Sequence, residues 1–286
     1  MGIAWKPLCG GPSGRGVPAE LLDEALLAFL PVLAPGPEGV ELLVEAVDDL
    51  VRHLELLAAR HGDVADELEG EVGGQQVEER GLHREEEGLA LLFTPPFDKA
   101  EPSPGYIKGY PPGVRENGGQ YTHAALWFAM ALARRGDGTR AVNLLRMLNP
   151  IEHSREPEAV WRYGIEPYAV AGDVYDSPGR IGHGGWSWYT GSAAWTYRAW
   201  VEEVLGLKVR GESLRMDPVI PERWEGFHLR YRHGEAIYEI QVENPNHHAR
   251  GVSWVEVDGK RMADAAIPLE RGLIKHRILV RMGEKE

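Results

Sequence analysis

The chain has 286 residues, 43% of them hydrophobic and 26% charged, the balance of a globular protein long enough for one large domain or two ordinary ones. A net charge of −13 argues against non-specific nucleic-acid binding, and a single cysteine, Cys9, excludes an internal disulfide framework or a zinc–cysteine cluster. No apolar run approaches the roughly 20 residues of a membrane span, and the N-terminal MGIAWKPLCGG lacks the basic-then-apolar order of a signal peptide, so a cytoplasmic location is expected.

Residues 1–83 differ from the rest. They contain no Tyr, Thr or Asn and carry 16 acidic against 5 basic residues, a balance of −11 that leaves only −2 for the remainder. Leucine-rich helical spacing runs over 19–34 and 38–60, while 61–80 is charged and without a clear period. This composition fits two readings. One is a pair of solvated amphipathic helices, loosely packed on the remainder. The other is the translation of a shifted or reversed frame in GC-rich DNA.

From Glu85 the character changes. GLALLFTPPFD (88–98) is a short apolar run ended by Pro95 and Pro96, and 102–113 is a Pro/Gly loop carrying Tyr106 and Tyr110. QYTHAALWFAMALAR (120–134) predicts a helix with Thr122 as its N-cap, apolar nearly all round and therefore buried. Further helices are expected over 138–148, 166–176 and 190–205, the last ending at Gly206. After Gly206 the period changes to two. HLRYRHGEAIYEIQVENP (228–245) turns at His233-Gly234, GVSWVEVDGKRM (251–262) turns at Asp258-Gly259, and HRILVRM (276–282) is a last strand. Helices in one block and strands in the next argue for an α+β chain of separate layers or domains, and against a βαβ sheet.

Two stretches carry chemistry. Arg115-Glu116-Asn117-Gly118-Gly119 lies between the Pro/Gly loop and the 120–134 helix. A guanidinium beside a carboxylate grips vicinal hydroxyls, one donating and the other accepting, and the two glycines let backbone approach a ligand closely. A helix-capping Arg-Glu pair accounts for the same residues. His123, in the first turn of the helix, suits an anion held at a helix N-terminus, or a satisfied core histidine. Trp186 and Trp188 precede Tyr189-Thr190-Gly191-Ser192, and their faces suit the C–H face of a sugar ring, whereas Trp195 suits a core between helices. Thr190 suits a cap, an anion ligand, or both. No nucleotide phosphate loop, GxSxG elbow or HExxH is present, and His153, His183, His247 and His248 have no metal-like spacing with His123. Asp98, Glu116, Glu166 and Asp173 are available as acids, but spacing selects none of them.

GLALLFTPPFD, GYIKGYPPGVRENGGQYTHAALW, EPYAVAGDVY, GGWSWYTGSAAW and LRMDPVIPERWEGF together resemble glycoside hydrolase family 94, the inverting glycoside phosphorylases. The resemblance spans about 85–283. It is nearest to the phosphorylase-like C-terminal module of cyclic β-1,2-glucan synthases and to β-1,2-oligoglucan phosphorylases. It implies an (α/α)6 barrel catalytic domain, here a C-terminal part over 84–206, followed by an antiparallel β-sandwich over 207–286. It also implies phosphorolysis of a β-glucoside with inversion, using inorganic phosphate as co-substrate and no cofactor or metal. By the same resemblance His123, Thr190 and Gly191 bind phosphate, and Arg115, Glu116 and Asn117 contact the acceptor sugar. The family's general acid lies upstream of the RENGGQ motif, and nothing in 1–83 resembles that segment. The expectation is therefore a C-terminal piece of an enzyme, with its catalytic residue unassigned, inactive alone unless a partner chain completes the barrel. The other readings are an inactive carbohydrate-binding remnant or a truncated, non-functional gene product.

Overall fold

The computed structural model describes residues 4–6, 83–84, 88–100, 103–188 and 191–284. In chain order these form strands β1 (Ala4–Lys6), β2 (His83–Arg84), β3 (Leu89–Ala90) and β4 (Gln120–Tyr121), and helices α1 (Thr122–Arg134), α2 (Gly138–Met147) and α3 (Pro157–Tyr163). Strand β5 (Asp173–Val174) and helix α4 (Ser192–Arg198) follow, the helix running on as a π-helical stretch over Ala199–Val204. The chain ends in strands β6 (Leu207–Arg210), β7 (Ser213–Met216), β8 (Gly226–His233), β9 (Ala236–Glu243), β10 (Val252–Val257), β11 (Lys260–Arg261), β12 (Ala266–Pro268) and β13 (Lys275–Met282). The described residues divide into two compact units, 83–135 with 140–200, and 4–6 with 136–139 and 201–284.

In the first unit α1 buries Ala125, Leu126, Ala129, Met130, Leu132 and Ala133. Its apolar circumference predicts burial all round, but Phe128 is exposed and His123 and Trp127 are only partly covered. Thr122 is not the N-cap. Tyr121 occupies that position without a side-chain cap bond, and the buried Thr122 hydroxyl accepts from Gln120 Nε2 at 3.3 Å. Leu89, Leu91, Tyr163, Ala171 and Val174 form a core beneath the loops. Helix α3, absent from the sequence reading, has Pro157 in its first turn and stops at Gly164, whose φ of +66° suits the left-handed C-terminal position. The helix expected over 166–176 does not form. Its backbone pairs elsewhere, with β5 antiparallel to β4 and Tyr175 N–H donating to His183 O at 2.9 Å. Those pairings outweigh the helix preference of Ala169-Val170-Ala171.

In the second unit a six-stranded sheet runs β1-β8-β9-β13-β10-β11 and a three-stranded sheet runs β12-β7-β6. Burial alternates along the strands: Phe227, Leu229 and Tyr231 on β8, Ala236, Tyr238, Ile240 and Val242 on β9, Ile278, Val280 and Met282 on β13. The expectation of purely antiparallel strands is corrected by one pairing, for β13 lies parallel to β9 over Lys275–Arg281 and Ile237–Glu243. Between them the chain passes through β10, β11 and β12, a connection long enough to return it in the same direction. Tyr238 Oη donates to Pro268 O and accepts from Glu270 N–H, joining the large sheet to the segment that leaves β12. Asn244, fully buried, donates to Trp224 O and His248 O and accepts from His248 N–H. Of residues 1–83, strand β1 pairs antiparallel with β8, and the helices read over 19–34 and 38–60 lie outside the described residues. No helix among the described residues is long and apolar enough to cross a membrane.

Candidate functional site

The Arg115 loop is built by its own backbone. Gly113 N–H donates to Asn117 O at 2.8 Å, Asn117 N–H to Val114 O at 3.1 Å, and Gly119 N–H to Arg115 O at 3.0 Å. This tight course sets φ of Arg115 at +50°, a conformation non-glycine residues rarely adopt. Gly118 and Gly119 serve the fold and not a ligand. A side chain at Gly118 would meet Pro96 Cγ at 2.6 Å, and one at Gly119 would meet Gly113 O at 2.8 Å. Asn117 is likewise taken by the fold. It is fully buried, accepts from Phe97 N–H at 2.6 Å and donates to Tyr110 O at 2.7 Å, so its amide braces the loop.

The strained residue presents its side chain between two rings. The Arg115 guanidinium lies 5.4 Å from the Tyr110 ring centroid and 5.4 Å from that of Trp186. It donates to Tyr110 Oη at 3.4 Å and stands 3.8 Å from Asp173 Oδ2. The Tyr110 hydrogen bond, opposed by desolvation and aided by the Asp173 charge, holds Arg115 above its usual range and so fully charged. Asp173 is buried, and its other oxygen accepts from Trp186 N–H at 2.7 Å, which fixes Trp186 relative to Arg115. Strand β4 carries Tyr121 opposite Asp173 on β5, so the two-stranded ladder brings the Arg115 loop and the Trp186 loop together. Glu116 has a buried Oε2 with no hydrogen-bond partner among the described residues. An unpaired buried carboxylate oxygen is costly and calls for a donor such as a hydroxyl.

His123 sits in the first turn of α1, its ring 4.9 Å from Trp127 and 5.5 Å from Trp195. Burial lowers its pKa, and its Nε2 is buried without a hydrogen-bond partner among the described residues. A β-carbon at Gly191 would stand 3.9 Å from His123 Cε1, so the fold brings His123 and Gly191 together. Gly191 is the N-cap of α4, the role the sequence offered to Thr190, and Thr190 itself lies outside the described residues. Trp195 is partly buried between His123 and Trp127, as an aromatic core residue. Trp186 and Trp188 are about half exposed, at 50% and 47%. Tyr110, Asp173 and Trp127 escaped the sequence reading as members of these clusters. Asp173 stood out only as one of four candidate acids, and Tyr110 only by its proximity to Arg115 in the chain. Among the described residues no three His, Cys, Asp or Glu gather as metal ligands.

Comparison with known proteins places the chain. The profile of the Glycosyl hydrolase 94 superfamily, catalytic domain, matches residues 55–206, a span that holds every site residue above and starts upstream of the motifs that begin at 85. Cyclic beta-(1,2)-glucan synthase NdvB of Rhizobium meliloti (strain 1021) is 47% identical over 157 residues, covering 55% of this chain and 6% of that protein. N,N'-diacetylchitobiose phosphorylase of Vibrio proteolyticus is 30% identical over 231 residues, covering 77% of this chain and 27% of its own length. The 1,2-beta-oligoglucan phosphorylase of Listeria innocua is 30% identical over 126 residues, 39% of this chain and 12% of that one. The chain thus aligns with only a small part of each of these relatives.

Proposed function

The chain belongs to the glycosyl hydrolase 94 superfamily, and from that premise we propose that it carries the phosphate- and sugar-binding part of a phosphorylase acting on β-linked glucosides. The similarity to a cyclic β-1,2-glucan synthase and a 1,2-β-oligoglucan phosphorylase points to β-1,2-glucans as the substrate class. The observation that carries this reading is His123. Its buried Nε2, without a hydrogen-bond partner among the described residues, lies in the first turn of a 13-residue helix beside the backbone of Gly191. Inorganic phosphate supplies acceptor oxygens to that nitrogen, to the positive end of α1, and to the proposed donors Thr190 and Gly191, without a metal or cofactor.

On the sugar side, Glu116 Oε2 accepts from a hydroxyl, Arg115 donates to its neighbour, and the exposed Trp186 face covers the ring. In the proposed reaction a phosphate oxygen forms a bond to the anomeric carbon from one side. The bond to the glycosidic oxygen breaks on the other, an acid gives that oxygen a proton, and α-glucose 1-phosphate leaves with inverted configuration. The acid is unassigned. Asp173 has both oxygens engaged by Arg115 and Trp186 N–H, and Glu166 is held below the usual carboxylate range by its own backbone N–H, Trp188 and Ser187. A carboxylate held ionised, as Glu166 is, does not protonate a leaving oxygen. The purified chain is therefore expected to bind phosphate and sophorose in separate calorimetric titrations and to release no α-glucose 1-phosphate from the two together. Failure to bind either ligand contradicts the proposal. Steady release of the phosphorylated sugar shows that a carboxylate here serves as the acid, and swapping Glu166 or Asp173 for its amide identifies which.

A further inference from the structure

Beyond Trp186 the same loop turns a second indole outward. Trp188 has φ of +64°, an outlier for a bulky side chain that holds only where neighbours fix it. Those neighbours are present. The Trp188 ring meets that of Tyr168 at 5.7 Å and 71°, and Ser187 Oγ–H donates to Glu166 Oε2 at 2.9 Å. The Glu166 carboxylate also accepts from the Trp188 side chain. Two rings are thus locked edge to face, with the Glu166 carboxylate bonded to one of them, yet Tyr168 is 56% and Trp188 47% exposed. Neither ring belongs to the buried core, and neither touches the Arg115 cluster in any contact described above. Two residues of chain place Trp188 at most about 7 Å beyond Trp186. Exposed aromatic faces beside an ionised acceptor suit a pyranose, which offers a C–H face and hydroxyl donors together.

We infer that Tyr168, Trp188 and Glu166 form a further sugar subsite, which takes the third glucosyl unit of an oligosaccharide whose first two units span the bond to be cleaved, the second of them held at Arg115, Glu116 and Trp186. The inference rests on the proposed function and makes the substrate a glucan chain longer than a disaccharide. The test is calorimetric titration of the full chain with sophorose and with the β-1,2-linked glucose pentasaccharide. The pentasaccharide is expected to bind the unaltered chain about tenfold more tightly than sophorose, the scale of one stacked aromatic contact. Trp188→Ala and Tyr168→Ala each bring that ratio close to one with sophorose affinity unchanged, and Trp188→Phe, which keeps a ring, restores most of it. A ratio near one in the unaltered chain, or a ratio that survives both alanine variants, overturns the subsite while the Arg115 site stands. Absence of sophorose binding, or sophorose binding indifferent to Arg115→Ala, overturns the functional reading and the subsite with it.

Discussion

His123→Ala is expected to weaken inorganic phosphate binding by roughly 10- to 150-fold, the effect of losing one hydrogen bond to a charged group. Sophorose affinity is expected to stay within about threefold, because a change below ~0.7 kcal/mol is what a residue outside the sugar contacts produces. The asymmetry follows from placement. His123 opens α1 among Trp127 and Trp195, with its Nε2 unsatisfied among the described residues and its ring beside Gly191. Arg115 lies on the preceding loop, held by Tyr110, Trp186 and Asp173. Arg115→Ala reverses the pattern, lowering sophorose affinity and sparing phosphate. Separate titrations of each variant with each ligand measure it. Equal losses for both ligands in both variants mean that these residues only hold up the fold.

Asn117→Ala is expected to lower the unfolding free energy by about 2–4 kcal/mol, because two backbone groups lose their partners. Phe97 N–H and Tyr110 O both depend on this fully buried amide, and Tyr110 in turn carries one face of the Arg115 sandwich. Urea unfolding of the variant measures the loss, with sugar affinity falling as a consequence. A variant that unfolds at the same urea concentration but fails to bind sophorose shows Asn117 to be a direct sugar contact, against the geometry.

Local rules made much of the second unit readable. Asp258 and Gly259, with φ of +51° and +81°, join β10 to β11, and Gly234 turns between β8 and β9. Alternation along those strands selects the buried face by itself. Strand direction has no such local signature, so the parallel pairing of β13 with β9 stayed hidden. Helix α3 could have been read from Pro157 at its start and Gly164 at its end, which bracket only seven residues. The stretch 166–176 misled for the opposite reason, since its apolar residues serve a two-stranded ladder with β4 whose partner is distant in sequence.

The site divides along the same line. Arg115, Glu116, His123 and Gly191 stood out as residue types beside a turn or a helix start, which is local information. That Arg115 would be caught between Tyr110 and Trp186 and face Asp173 depends on the β4–β5 pairing. Asn117 shows the converse. Its neighbours in the chain made it look like a ligand contact, and only the positions of Phe97 and Tyr110 around it reveal a brace.

The central claim, that His123 is a phosphate ligand, is tested most directly by following the His123 ring resonances by NMR through a pH titration with and without saturating inorganic phosphate. In the free chain burial disfavours the imidazolium, so His123 is expected to titrate below the ordinary value of about 6.5. A bound anion favours the charged ring, so saturation is expected to move the midpoint upward and to shift the Nε2 resonance. Phosphate binding that leaves the His123 midpoint and resonances where they were would contradict the account.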